Sequence, residues 1–311
     1  MKTPVAFIIF NRPDTTKRVF EAIRQAKPPK LLVIADGPRG DRPGEAEKCA
    51  AARAVIDGVD WECEVLTNYS DVNLGCKKRV SSGLDWVFDN VDKAIILEDD
   101  CLPDLSFFDF CENLLERYEN DSRIMSICGV NFQLVNRNIN YNSHSNYSYY
   151  YSMFHDCWGW ATWKRAWKYN DVNMNLWPQV KTEKLLNNLL FDDRSVKYWV
   201  KIFQSAYENK VNSWFYPWFF SCRVHSGFGI FPEKNLVSNI GFGMAGTHTI
   251  DQNNPYANLC LEKLDLPLVH PPFMIHNKKA DKYTQNTRFS PSLVLRIQRK
   301  LKKLFLAKMQ N

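Results

Sequence analysis

The sequence predicts an α/β fold, a mostly parallel, doubly wound central sheet with helices on both faces. Three observations predict it. Short runs that are apolar throughout recur over residues 1–130, as in parallel strands buried on both faces. Segments with apolar residues at helical spacing separate them. Three of the runs end in polar residues, Asn11-Arg12, Asp36 and Glu98-Asp99-Asp100, and in such sheets ligands bind beyond the carboxyl ends of the strands.

Residues 5–10 form a buried strand bounded by Pro4 and by Asn11-Arg12-Pro13. Residues 15–27 follow as a helix, apolar at positions 19, 20, 23 and 26, with Asp14 or Thr15 as its cap. Residues 31–35 form a second strand that runs into the turn Asp36-Gly37-Pro38. A helix over 45–56, a strand over 62–68 and a helix over 77–91 continue the alternation; Val80, Leu84, Val87 and Phe88 share one face of the last. A fourth strand spans 94–97, a helix 107–118 and a fifth strand 124–130. Beyond about residue 140 the alternation breaks down. Residues 136–148 read as an exposed loop, 199–208 as a helix, and 213–231 as a stretch dense in aromatics. The expected division is an α/β half over 1–130, a second half of the same domain over 131–280, and a C-terminal segment over 281–311.

The composition narrows the classes. With 311 residues, 45% hydrophobic and 24% charged, the chain has ample length for a sizeable core. Nine cysteines without a C-x-x-C pair argue against a zinc cluster or a disulfide framework, and so for a reducing, cytoplasmic setting. The N-terminal apolar run is too short for a signal peptide, and no stretch reaches the roughly 18–20 apolar residues of a spanning helix. Net charge is +6, and residues 291–311 hold Arg296, Arg299, Lys300, Lys302, Lys303 and Lys308 without an acid. That tail, apolar at 293, 294, 297, 301, 304 and 305, reads as a basic amphipathic helix suited to an anionic membrane surface. No nucleic-acid motif accompanies it.

The chemistry concentrates at the strand ends. Three acids directly after a buried strand, Glu98-Asp99-Asp100, suit a divalent cation, which takes hard oxygen ligands and bridges a diphosphate. Asp36 could accept from a nucleobase N–H. Asn73-Leu74-Gly75 precedes a helix carrying Lys77, Lys78 and Arg79, and a helix start beside cations suits a diphosphate.

These elements stand in the order found in GT-A glycosyltransferases, which the chain resembles: the first strand with Asn11-Arg12-Pro13, the Asp36 turn, Asn73-x-Gly75 and Glu98-Asp99-Asp100. The triplet is similar to that of the N-acetylglucosaminyltransferase I group. Residues 3–280 resemble bacterial glycosyltransferase-like proteins once labelled hemolytic-protein homologues, through Trp158-Gly159-Trp160-Ala161-Thr162-Trp163, the block Ser238-Asn239-Ile240-Gly241-Phe242-Gly243, and Thr247-His248-Thr249.

The resemblance implies a GT-A-like fold and transfer of a sugar from a nucleotide-diphosphate donor, UDP-linked as first choice, to a hydroxyl of a glycan or lipid-linked glycan. The pathway implied is bacterial surface polysaccharide assembly, with the enzyme peripheral at the inner face of the cell membrane. It implies that Asp100 ligates Mn²⁺ or Mg²⁺, that His248 reaches the metal or diphosphate, and that Asp99 contacts the ribose. Asn11, Arg12, Asp36, Asn73 and Arg79 would line the nucleotide. Trp158, Gly159 and Trp160, with Trp214 and Trp218, would wall the sugar and acceptor. The family's W-D-x-x-W segment reads Trp214-Phe215-Tyr216-Pro217-Trp218 here, with Phe at the place of the carboxylate base. Replacement candidates are Asp156 and the pair Asp192-Asp193. Two rivals stand beside this reading: a sugar nucleotidylyltransferase, whose Gly-rich loop after the first strand is not present, and a non-catalytic glycan-binding or scaffold protein.

Overall fold

The computed structural model describes residues 1–136, 146–243, 254–291 and 297. The first four strands are β1 (Val5–Ile9), β2 (Lys30–Ala35), β3 (Glu64–Tyr69) and β4 (Lys93–Glu98). All pair in parallel, in the order β3-β2-β1-β4. The crossovers are helices: α1 (Pro13–Ala26), α2 (Glu45–Ala54) with a 3-10 turn Val55–Gly58, and α3 (Gly75–Asn90). Neither Asp14 nor Thr15 caps α1. The helix begins at Pro13, whose missing N–H needs no partner and whose fixed φ suits a first turn; Asp14 lies within that turn.

Next come β5 (Cys101–Pro103), α4 (Ser106–Arg117) and β6 (Ile124–Cys128). The second half contributes β7 (Tyr149–Ser152) and β8 (Trp160–Trp163), then five helices: α5 (Lys164–Trp167), α6 (Trp177–Thr182), α7 (Leu186–Leu189), α8 (Asp193–Tyr207) and α9 (Phe215–Val224). It ends with β9 (Phe228–Pro232), β10 (Val237–Asn239) and α10 (Lys278–Thr284), which runs into a π-helical turn, Gln285–Phe289. The loss of alternation after residue 140 does not mean loss of sheet. β8, β6, β9 and β7 extend it to eight strands in the order β3-β2-β1-β4-β8-β6-β9-β7. β8 is antiparallel to both β4 and β6, β9 is parallel to β6, and β7 closes the edge antiparallel to β9. β10 and β5 form a separate antiparallel pair.

The period of two along each strand sorts side chains between two cores. Val5, Phe7 and Ile9 of β1, with Leu31 and Val33 of β2 and Ile95 and Leu97 of β4, pack toward α1 and α4. Ala6 and Ile8, with Leu32, Ile34, Ala94 and Ile96, pack toward α3, α8 and α9. Burial on both faces is why these runs are apolar throughout. β3 departs from that reading because it is the edge strand, and its residues are exposed or half-buried. All nine cysteines are free thiols. No helix among the described residues is long and apolar enough to cross a membrane. Nearly all of the basic tail lies outside the described residues, as does most of the loop expected over 136–148.

Candidate nucleotide and metal site

From β1 the chain winds outward through β2 and β3, then returns to place β4 on the other side of β1. The carboxyl ends of β1 and β4 therefore flank the point where the winding reverses, the usual ligand crevice of an open α/β sheet. The register pairs Ile8 with Glu98, so the residues just beyond meet across the gap. Arg12 donates from Nη1 to Asp100 Oδ2 at 2.8 Å and from Nη2 to Asp99 Oδ1. The Phe10 amide donates to Asp99 Oδ2 at 3.2 Å, and the Cys101 thiol lies 3.5 Å from Asp100 Oδ1. Burial works against the Arg12 charge, but Asp99 and Asp100 outweigh it and hold the guanidinium firmly protonated.

Three carboxyl groups crowd the site around Arg12. Desolvation, and then Asp100 and Asp99, push the Glu98 carboxyl well above the usual range, against Arg12 and a hydrogen bond from the Trp214 side chain. Desolvation also raises Asp99, although Arg12 opposes it. Two of the three adjacent acids, Asp99 and Asp100, pair with one guanidinium. Hard oxygens in surplus are the donor set that a divalent cation takes, and Mg²⁺-type sites use one or two carboxylates with substrate phosphates completing the shell. The residues thus fit a divalent cation in an open-sided site, while among the described residues no three His, Cys, Asp or Glu groups close a cage around one. His248 lies outside the described residues.

A strap crosses this pair. The Ile240 amide donates to the Asp100 carbonyl at 2.8 Å, and the Gly241 amide donates to Asn239 Oδ1 at 2.9 Å. Gly241 passes so close that a Cβ there would overlap both Asp100 Oδ2 and Arg12 Nη1. Only glycine lets the backbone approach this far. The strap falls in the block quoted for the resemblance, but its contact with Arg12 has no signal in the sequence.

Asp36 sits at the end of β2, buried, with its carboxylate already taken. It accepts from the amides of Gly37 (2.9 Å), Leu74 (2.9 Å) and Gly75 (3.0 Å), and from Asn73 Nδ2 (3.1 Å). Asp36 is itself the anion at the start of α3, and Asn212 Oδ1 accepts from the Lys77 amide at 2.8 Å. The diphosphate expected at this helix start finds those amides engaged. Arg79 likewise turns inward, donating to the Ala35 carbonyl at 3.1 Å and to Asn68. Asn11 donates to Glu45 Oε1 at 2.9 Å, and Glu45 also holds Arg39.

The aromatic wall divides. Trp160, Trp214 and Trp218 are 1%, 3% and 1% exposed and pack on one another, with Trp160 and Trp214 stacked at 5.4 Å and Trp160 and Trp218 tilted at 5.9 Å. They are core, not an open sugar wall, because β8 and α9 bury them between sheet and helices. Phe215 joins the same cluster, stacked on Phe219. Gly159, at φ +62°, turns the chain into β8 where a Cβ would meet Val237. Trp158 alone of the block's tryptophans stays partly open. It contacts Phe132 at 5.2 Å and Phe242, the residue after Gly241, at 5.6 Å.

Of the candidate bases, Asp156 is buried and paired with Arg288, and it accepts from the Trp158 amide at 3.0 Å. Arg288 in turn lies over Phe132 and Trp158. Arg288 went unrecognised in the sequence because it comes from a π-helical turn 132 residues beyond its partner. Asp192 caps α8, accepting from the Ser195 amide and hydroxyl at 2.7 Å each. Asp193 is exposed in the first turn of that helix.

No family model matches the chain, and no curated protein matches it. Among solved structures it is similar to HddC from Yersinia pseudotuberculosis (12% identity, TM-score 0.27), over 40% of this chain and 56% of that one. The chain therefore spans little more than half the length of that protein. It is also similar to 4-diphosphocytidyl-2C-methyl-D-erythritol synthase from Anaerococcus prevotii (10% identity, TM-score 0.31, 65% of this chain and 84% of that one). A third similarity is to a UDP-glucose pyrophosphorylase complexed with UDP-glucose (10% identity, TM-score 0.29, 50% and 64%).

Proposed function

We propose that the protein is a metal-dependent glycosyltransferase that moves a sugar from a nucleotide-diphosphate donor to a hydroxyl of a glycan or lipid-linked glycan. The observation that carries this reading is the meeting of Arg12 with Asp99 and Asp100 at the reversal of strand order between β1 and β4. A basic group and a surplus of carboxylates in that crevice suit a diphosphate and its cation.

Asp100 would hold Mn²⁺ or Mg²⁺, which takes hard carboxylate oxygens. Asp99 would orient the nucleoside, its Oδ2 fixed by the Phe10 amide. The bound metal would stabilise the charge that grows on the leaving diphosphate. Arg12 would add a fork of N–H donors to the same oxygens. Trp158, partly exposed beside Phe242, would pack against the sugar. The basic tail over 291–311 would hold the enzyme at an anionic membrane surface where a lipid-linked acceptor resides.

The test is binding and turnover of UDP-, GDP-, dTDP- and CMP-sugars with and without Mn²⁺, in wild type and Asp100→Ala. Metal-dependent binding of one donor, lost in the variant, supports the reading. Formation of pyrophosphate from a nucleoside triphosphate and a sugar 1-phosphate would replace it with a nucleotidylyltransferase. No binding under any condition would leave a glycan-binding scaffold as the better account.

A further inference from the structure

Arg12 is paired with both carboxylates that would take a cation. Its two terminal nitrogens hold one oxygen of Asp99 and one of Asp100, and the Asp100 oxygen is held at 2.8 Å. The guanidinium is clamped. Its side chain is 16% exposed, those of Asp99 and Asp100 are 3% and 10% exposed, and the Gly241 backbone lies directly against the pair. The strap is tied to Asp100 through the Ile240 amide. A metal ion arriving alone would therefore meet carboxylates already neutralised in part, beneath a strap, with a fixed positive charge beside it. A nucleotide diphosphate changes that balance. Its phosphate oxygens offer the guanidinium a second bidentate partner, and they supply negative charge to balance a second cation.

We propose that Arg12 is a built-in stand-in for the divalent cation. It holds Asp99 and Asp100 until a nucleotide diphosphate takes over the guanidinium, so metal and nucleotide load together and metal does not load first. The inference rests on the sugar-nucleotide reading for the identity of the exchanging partner, but the competition between Arg12 and metal is a property of the free protein. Arg12 is here a positioning residue, acting through the carboxylates.

The test is Mn²⁺ binding to the full chain, followed by the electron paramagnetic resonance signal of free Mn²⁺, with and without UDP. For wild type, Mn²⁺ alone should bind weakly and UDP should tighten it about 10- to 100-fold, the range seen when a partner of a metal ligand is changed. Arg12→Gln should bind Mn²⁺ without UDP tighter than wild type by a similar factor. Arg12→Lys, which keeps one charge but cannot fork across both acids, should fall between. Circular dichroism melts establish that each variant is folded, and the lysine variant decides the matter if the glutamine variant is not. The proposal is overturned if the folded variants bind Mn²⁺ alone no better than wild type. Wild type binding Mn²⁺ equally well with and without UDP, while binding UDP, would also overturn it. Absence of UDP binding in every protein would instead exclude UDP, would sink the transferase reading only if GDP, dTDP and CMP also fail to bind, and would leave the Mn²⁺ comparison standing.

Discussion

Two strand ends in this protein carry buried aspartates, and they have opposite fates. Asp36, after β2, is saturated by backbone amides and one asparagine. Asp99 and Asp100, after β4, are held chiefly by one long side chain from another element. Backbone donors cannot leave without breaking the fold, whereas a side chain can swing to a new partner. The contrast separates an acid held by the backbone from acids held by an exchangeable side chain, although the sequence presents both in the same way.

The largest effect should come from the second end. Asp100→Ala should lower metal-dependent donor turnover about 10²- to 10³-fold, the scale of losing one charge-stabilising group. Its melting temperature should stay close to wild type, because Arg12 keeps Asp99; steady-state kinetics and calorimetry check both halves. Asp36→Ala should do the reverse. With buried amides left without an acceptor, it should lose roughly 2–4 kcal/mol of stability in urea unfolding. A stable Asp36→Ala protein that no longer binds nucleotide would erase the distinction.

A third buried group sharpens it through pH. His155 is 1% exposed, and burial, helped by Arg223, pushes its imidazole down to about 3 from the ordinary 6.5. Between those values the unfolded chain binds a proton that the native state refuses, so stability is full above pH 6.5 and falls as pH drops toward 3. Denaturant titrations from pH 7 to 4 should show this slope in wild type, reduced by up to one proton in His155→Asn. The smallest effect belongs to Asp193→Ala, within about 0.5 kcal/mol as for most exposed sites. Turnover should be unchanged; a large loss would make Asp193 the base that Phe215 cannot be.

Much of the fold was legible because strands buried on both faces leave continuous apolar runs, as in β1, β2, β4 and β6. The strands β7, β8 and β9 were not. They are four or five residues long and built from Tyr, Trp and Phe, a composition that also suits an aromatic cluster. Arg12, Asp99 and Asp100 were legible as a polar boundary on apolar runs, but their meeting depends on β4 lying beside β1, which is a matter of topology. Asp36 was misleading because the amides of Leu74 and Gly75 that claim it come from 38 and 39 residues away. Trp160, Trp214 and Trp218 were misleading for a related reason. An aromatic motif looks alike whether it meets a sugar or another tryptophan.

The wedge of β8 between β4 and β6 bears on how the chain is made. Ala161 pairs with Ile95 on one side and Ile127 on the other, so no direct ladder joins β4 to β6. A nascent chain that has emerged only to residue 130 leaves β4 with an open edge and β6 with no neighbour, a state prone to mispairing. The ribosome must release about thirty more residues before the tryptophan strand can bridge them. The carboxyl end of β4 is therefore completed late in synthesis, and a gene fragment that stops at residue 130 should yield insoluble protein and not a smaller folded domain.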